Sequence, residues 1–179
     1  VILMIEKILL AQTLKRLPRM GWLISGIPNP ESVADHSFGV AFISLLLLNK
    51  IKEEGVKIDE NRVLKMAIIH DIGEALITDI PLRAQKYLDK DAAEDKAVKE
   101  IFPEFYELYR EYQEGKSLEA QLVKFADKID MVLQAWQYEL SGNKNLEDFW
   151  RALEELEKLE IARYFKELLE EVRRLKGDI

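Results

Sequence analysis

Apolar residues recur along this chain at three- and four-residue spacing rather than in alternation, a period that predicts helices almost throughout. The opening stretch VILMIEKILLAQTLKRLPR reads as an amphipathic helix, with Ile5, Ile8 and Leu9 leading to Leu14 and Leu17. Ser32 is placed to cap a helix running through His36 and Leu48 to a stop at Gly55, with Asp35 favourable in its first turn. Asp59 opens the next, DENRVLKMAIIHDIGEAL, in which Val63, Met66, Ala67 and His70 share one face. Thr78 to Pro81 breaks the pattern. A polar helix follows around Asp91–Phe102, and Pro103 suits the first turn of another. Ser117 then begins the long SLEAQLVKFADKIDMVLQAWQYELS, stopped by Gly142, and Asn145 is placed to cap a last amphipathic segment. Hairpin signals are missing. The expectation is an all-α protein, a compact multi-helix bundle.

Neither an internal repeat nor a flexible linker divides the 179 residues, so one domain spanning 1–179 is expected. Apolar residues are 48% and charged residues 33%, the profile of a globular protein able to bury a full core. There is no cysteine, which excludes disulfides, thiolate catalysis and Cys-ligated metal centres. A formal charge of −7 argues against polynucleotide or anionic-membrane partners. Glu6 and Lys7 interrupt the N-terminal apolar run too early for a signal segment, and Val40–Leu48 is far short of a bilayer span. A cytoplasmic location is the expectation. The chain opens on valine, with Met4 a candidate start.

Only two histidines occur, and both sit on apolar helical stretches beside aspartate: ADHSFGV and AIIHDIG. A third apolar helix carries Asp127, in KFADKID, with Asp130 three residues on. His36, His70, Asp71 and Asp127 form a plausible nitrogen–oxygen ligand set for one divalent ion, more suited to a transition metal than to calcium. Each residue also has an ordinary reading. Either histidine could be a hydrogen-bonded core residue, Asp71 a helix-flank acid, and Asp127 an ion-pair partner of Lys124 or Lys128. Asp35 and Asp130 read as solvated or ion-paired rather than ligating. Spacing alone leaves these alternatives open.

Four blocks narrow them: RLPRMGW, PESVADHS, HDIGEALITDIP and SLEAQLVKFADKIDM. In this order they resemble the HD superfamily of metal-dependent phosphohydrolases, in particular its 5′-deoxynucleotidase branch. The blocks run from Leu14 to Met131, about two-thirds of the chain, leaving C-terminal helices over 145–176 to pack on the bundle or form a dimer interface. The resemblance implies an HD-domain bundle that cleaves nucleoside 5′-monophosphates, deoxy forms above all, to nucleoside and phosphate. It assigns one divalent ion to His36, His70, Asp71 and Asp127, with Co2+ or Mn2+ first and Zn2+, Ni2+, Fe2+ or Mg2+ as other candidates. Two histidines with one His–Asp pair fit a single ion.

By the same resemblance, Glu74 is the carboxylate assisting proton transfer, and Asp79 helps hold nucleotide and water. Arg19 and Trp22 are the expected substrate readers, the first for phosphate through its planar fork and the second against deoxyribose. In the bacterial type an arginine directly precedes the tryptophan. Here Gly21 does so, and the PR-x-GW form resembles eukaryotic and archaeal relatives. Glu111 or Glu114 is a further acid able to approach the pocket. A homodimer is expected. The competing readings are a nucleotide-binding sensor without turnover, an HD phosphodiesterase or a nucleoside triphosphate hydrolase.

Overall fold

A computed structural model describes residues 1–177, and among them regular structure is entirely helical apart from one isolated antiparallel bridge, Pro18 to Ser32. The α-helices are α1 (Met4–Gln12), α2 (Met20–Ile24), α3 (Val33–Glu53), α4 (Glu60–Ile69), α5 (Glu74–Ile77), α6 (Lys90–Ile101), α7 (Tyr106–Glu114), α8 (Leu118–Leu140), α9 (Glu147–Trp150), α10 (Ala152–Leu156) and α11 (Lys166–Gly177).

Local chemistry sets most of these boundaries. Ser32 and Asp35 form a reciprocal capping box at the start of α3: the Ser32 hydroxyl accepts the Asp35 N–H, and the Asp35 carboxylate accepts the Ser32 N–H. Asp59 and Ser117 cap α4 and α8 in the same sense. Gly55 and Gly142, both at positive φ, close α3 and α8 without the penalty a Cβ would bring.

Helix α8 is the axis of the bundle. Leu122, Val123, Phe125, Ala126, Ile129 and Val132 point to several sides of it and are all buried. The core they build is shared with Val40, Leu47, Leu48 and Ile51 of α3 and Val63, Met66 and Ala67 of α4. A second cluster, including Leu14, Ile69, Ile72, Val98 and Tyr109, lies under α5 and α6. A third gathers Trp22, Ile27, Ala135 and Leu146.

Three elements differ from the sequence expectation. The first is α1, whose Ile5, Ile8 and Leu9 are exposed, while Leu14, in the 3-10 turn after it, carries the packing. The second is the predicted helix from Asp59 through Leu76. It breaks after Ile69 into tighter turns, with the N–H groups of Ile72, Glu74 and Ala75 bonding three residues back. The break turns the chain where α6 comes closest: a Cβ on Gly73 would lie 3.3 Å from Val98 and 3.4 Å from Glu94.

The third is the C-terminal segment. Asn145 does not cap it; it takes a positive φ, and Leu146 occupies the N-cap position as a buried residue. The segment divides into α9, α10, a 3-10 turn at Glu160–Tyr164 and α11. Each bend delivers an apolar side chain (Trp150, Leu153, Leu156, Ile161, Phe165, Leu169) to the main core, so these helices pack on α8. Tertiary burial outweighs the single-helix period there.

Candidate metal centre

Residues from two helices and the turn after α4 converge on one point. His36 comes from the second turn of α3, His70 and Asp71 from the break after α4, and Asp127 from the middle of α8. His36 Nε2 lies 2.8 Å from Asp127 Oδ1 and 3.8 Å from Asp71 Oδ2. His70 Nε2 lies 3.2 Å from Asp71 Oδ2 and 3.9 Å from Asp127 Oδ1. Both imidazoles are buried, with ring centroids 5.5 Å apart.

The outer nitrogens are anchored. His70 Nδ1 is 2.7 Å from the carbonyl oxygen of Ala67, one turn back on α4, which fixes a proton there and turns Nε2 inward. His36 Nδ1 is 2.7 Å from Asp130 Oδ2. Asp127 also accepts the Tyr112 hydroxyl at 3.3 Å through Oδ2. His70 Nε2 and Asp71 Oδ2, two of the four inward atoms, are buried 3.2 Å apart without forming a well-aligned hydrogen bond. Buried orphans of this kind are costly unless something fills the gap between them. Two imidazole nitrogens and two carboxylate oxygens facing one point fit a divalent transition metal ion.

Electrostatics follow from this crowding. Burial and the Arg19 cation both oppose charge on His36, yet its hydrogen bonds to Asp127 and Asp130 win and push it up to about 9. Burial likewise opposes a charge on His70, and the neighbouring Asp71 carboxylate overrides it and raises its pKa. Burial alone would raise Asp71 and Asp127; the facing imidazoles instead hold both carboxyls well below the usual range.

Glu74 is different. Buried at the start of α5, it is pushed up to about 10 by desolvation first, then by the negative charges of Asp71 and Asp79. Its Oε1 is 3.5 Å from Lys90 Nζ on α6, and its Oε2 is buried without a partner. Lys90 also faces Glu94 at 3.4 Å. Asp79 accepts the backbone N–H of Met20 at 2.7 Å, tying the turn after α5 to the loop that carries Arg19.

Arg19 stands at the rim, 3.6 Å from Asp71 and 3.7 Å from Glu31. Trp22, expected as the sugar reader, lies within the fold. It is 1% exposed, stacked on Phe149 at 4.1 Å, edge-on to Tyr138, with its indole N–H donated to Glu31. No face of the ring is open to a ligand, because the third core cluster encloses it. Glu111 and Glu114 stay outside the centre: Glu111 is held by Arg62 and the Ser117 hydroxyl, and Glu114 by Arg110.

Sequence reasoning did not assign Glu31, Lys90, Glu94 or Tyr112 to this region. Glu31 and Tyr112 meet partners on other elements, and Lys90 faces Glu74 on α5 as well as Glu94 one turn further along α6. Asp130, expected to be solvated or ion-paired, lies against the His36 ring.

A family model described as HD domain matches residues 11–169. The chain is similar to 5′-deoxynucleotidase HDDC2 of Dictyostelium discoideum, 39% identical over 137 residues, which are 70% of this chain and 72% of the relative. The human protein of the same name is 34% identical over 148 residues, 76% of this chain and 70% of the relative. The crystal structure of the PH0347 protein from Pyrococcus horikoshii OT3 matches with a TM-score of 0.95 at 64% identity, covering 96% of this chain and 99% of that one.

Proposed function

The chain belongs to the HD domain family, and on that footing we propose that it is a metal-dependent 5′-deoxynucleotidase, a hydrolase that converts nucleoside 5′-monophosphates to nucleoside and phosphate. One observation carries the reading. The inward donors of His36, His70, Asp71 and Asp127 converge, two of them buried and without a hydrogen bond, next to the buried carboxyl of Glu74.

A divalent ion held by these four residues would lower the pKa of a water and offset charge developing on the phosphoryl oxygens. Cobalt or manganese suits the mixed donor set. Arg19 supplies a cationic fork at the rim and is assigned to the substrate phosphate. Water attacks phosphorus in line, the bond to the nucleoside 5′-oxygen breaks, and that oxygen takes a proton. Glu74, whose carboxyl burial and the neighbouring Asp71 and Asp79 push toward the protonated form, is assigned to deliver that proton, directly or through water. Asp79 keeps the Arg19 loop against the turn that carries Glu74 and is assigned to positioning nucleotide and water. Trp22 supports this floor from within through Glu31, which in turn faces Arg19.

One domain spanning 1–179 is part of the reading, since the C-terminal helices share the main core with α3, α4 and α8. A homodimer is another part. On α3 the side chains of Phe38, Phe42, Leu45 and Leu46 form an exposed apolar stripe, with Phe38 74% exposed, and stripes of this kind mark contact surfaces. Among the described residues no helix is long and apolar enough to cross a membrane. The reading places the enzyme in the cytoplasm.

The deciding experiment is phosphate release by metal-stripped protein resupplied with Mn2+, Co2+, Zn2+ or Mg2+. Paired deoxy- and ribonucleoside 5′-monophosphates are the substrates, with a triphosphate and a dinucleotide alongside. Metal-dependent release favouring the deoxy monophosphates is the expected result. Tight nucleotide binding without turnover would instead make the protein a sensor, and cleavage of the dinucleotide a phosphodiesterase.

A further inference from the structure

We propose that Asp130 is a positioning residue for the metal centre, holding the His36 ring so that Nε2 faces the other donors, and that Gly39 is what gives Asp130 room to do so. The inference rests on the assignment of His36 as a ligand. A histidine can offer a lone pair to a cation from one nitrogen only if its proton stays on the other. The His36 ring has a carboxylate on each side: Asp127 Oδ1 at 2.8 Å from Nε2 and Asp130 Oδ2 at 2.7 Å from Nδ1. Asp130 accepting the Nδ1 proton leaves Nε2 and Asp127 to share the cation.

His70 shows the same arrangement with a different anchor, the Ala67 carbonyl, within its own helix. His36 gets its anchor from another helix. Asp127 and Asp130 are three residues apart, so one face of α8 supplies both a ligand and the group that orients its neighbour. The other nearby carboxylate is occupied elsewhere, since Glu31 faces Arg19 and accepts the Trp22 indole N–H.

Gly39 lies three residues after His36 on α3. A Cβ there would sit 2.0 Å from Asp130 Oδ1 and 2.8 Å from its Cγ. Glycine inside a helix costs about 1 kcal/mol relative to alanine, so helix formation does not explain it. The Asp130 carboxylate does, because it fills the space that a side chain would take.

Three proteins test this: Asp130→Asn, Gly39→Ala and, as a control on the same helix but facing Glu155 of α10, Lys128→Ala. Each is stripped of metal and titrated with Co2+, following the visible absorption bands of the bound ion. Asp130→Asn and Gly39→Ala should each weaken cobalt binding by about 10- to 100-fold and alter the bands, as loss of an outer-sphere partner typically does. Lys128→Ala should match the parent. Helical circular dichroism reports whether each variant is folded.

A measurement on the unaltered protein guards against a misfolded variant. In the Zn2+-loaded form, nitrogen-15 NMR should show the His36 proton on Nδ1 and the metal shift on Nε2. Folded Asp130→Asn and Gly39→Ala proteins with parental affinity and spectrum would overturn the inference alone, as would a proton on Nε2 with metal bound elsewhere. A parent protein that takes up no cation would overturn it together with the metal reading.

Discussion

Asp79 accepts the backbone N–H of Met20 at 2.7 Å, across 59 residues of sequence. Thr78, just before it, takes a positive φ of 66°, a conformation that is uncommon for a β-branched residue and marks a sharp turn. The bond therefore joins two irregular segments, one aimed by Arg19 and the other following Glu74. Asp79→Ala should leave the Met20 N–H unpaired and the Arg19 loop untethered. A charged hydrogen bond of this kind is worth about 1.5–3 kcal/mol, which corresponds to a drop of about 10- to 100-fold in kcat/KM for a deoxynucleoside monophosphate. Asp79→Asn keeps an acceptor oxygen and should lose less. Steady-state kinetics of both variants check the order.

Glu74 should make the metal-free protein sensitive to alkali. Its folded pKa of about 10 lies above the ordinary 4.5, so its contribution to stability is fully present below pH 4.5 and is lost as pH rises toward 10. Glu74→Gln removes that dependence. Between pH 5 and 9, urea unfolding of metal-free protein should show the parent losing on the order of 5 kcal/mol relative to Glu74→Gln. Parallel curves for the two proteins would refute a protonated Glu74.

Metal uptake should expel protons. His36 is held at about 9, above its ordinary 6.5, so its stabilising contribution is complete below 6.5, fades as pH rises toward 9 and is gone above it. A cation at Nε2 replaces that extra proton near neutrality. Calorimetric titration with Co2+ in buffers of differing ionisation enthalpy should report about one or more protons released at pH 7. Affinity should climb with pH up to about 9 and then level off.

Trp22 should matter to the fold before it matters to the sugar. Trp22→Ala removes a ring stacked on Phe149 and leaves Glu31 without its indole donor. Truncating a buried tryptophan typically costs about 3–5 kcal/mol. Trp22→Phe keeps most of the packing. Urea unfolding should show a large loss for alanine and a smaller one for phenylalanine. The ratio of deoxy to ribo turnover should stay near the parent value in Trp22→Phe, since the ring is enclosed.

Capping chemistry and apolar period are local properties, and the chain displays them openly. Ser32, Asp59, Ser117, Gly55 and Gly142 mark helix ends that the structure has at those places. The scarcity of histidine and the placement of both on apolar helices singled out His36 and His70, with Asp71 and Asp127 beside them in character. The structure brings those four together.

What tertiary structure alone decided are the features in which a residue's role is set by something distant. His36 meets Asp127 and Asp130 across 91 and 94 residues, so nothing near Asp130 distinguishes an orienting acid from a solvated one. Trp22 reads as a ligand contact until Phe149 and Tyr138 close over it. The helix through His70 and Asp71 breaks where Glu94 and Val98 of α6 approach Gly73, and the C-terminal segment bends while burying Leu146 and Trp150. Helix propensity acts over a few residues, whereas burial and charge act on whatever the folded chain brings near. The sequence by itself therefore determined the helices and the donor types, and packing decided which donors face one another and which are enclosed.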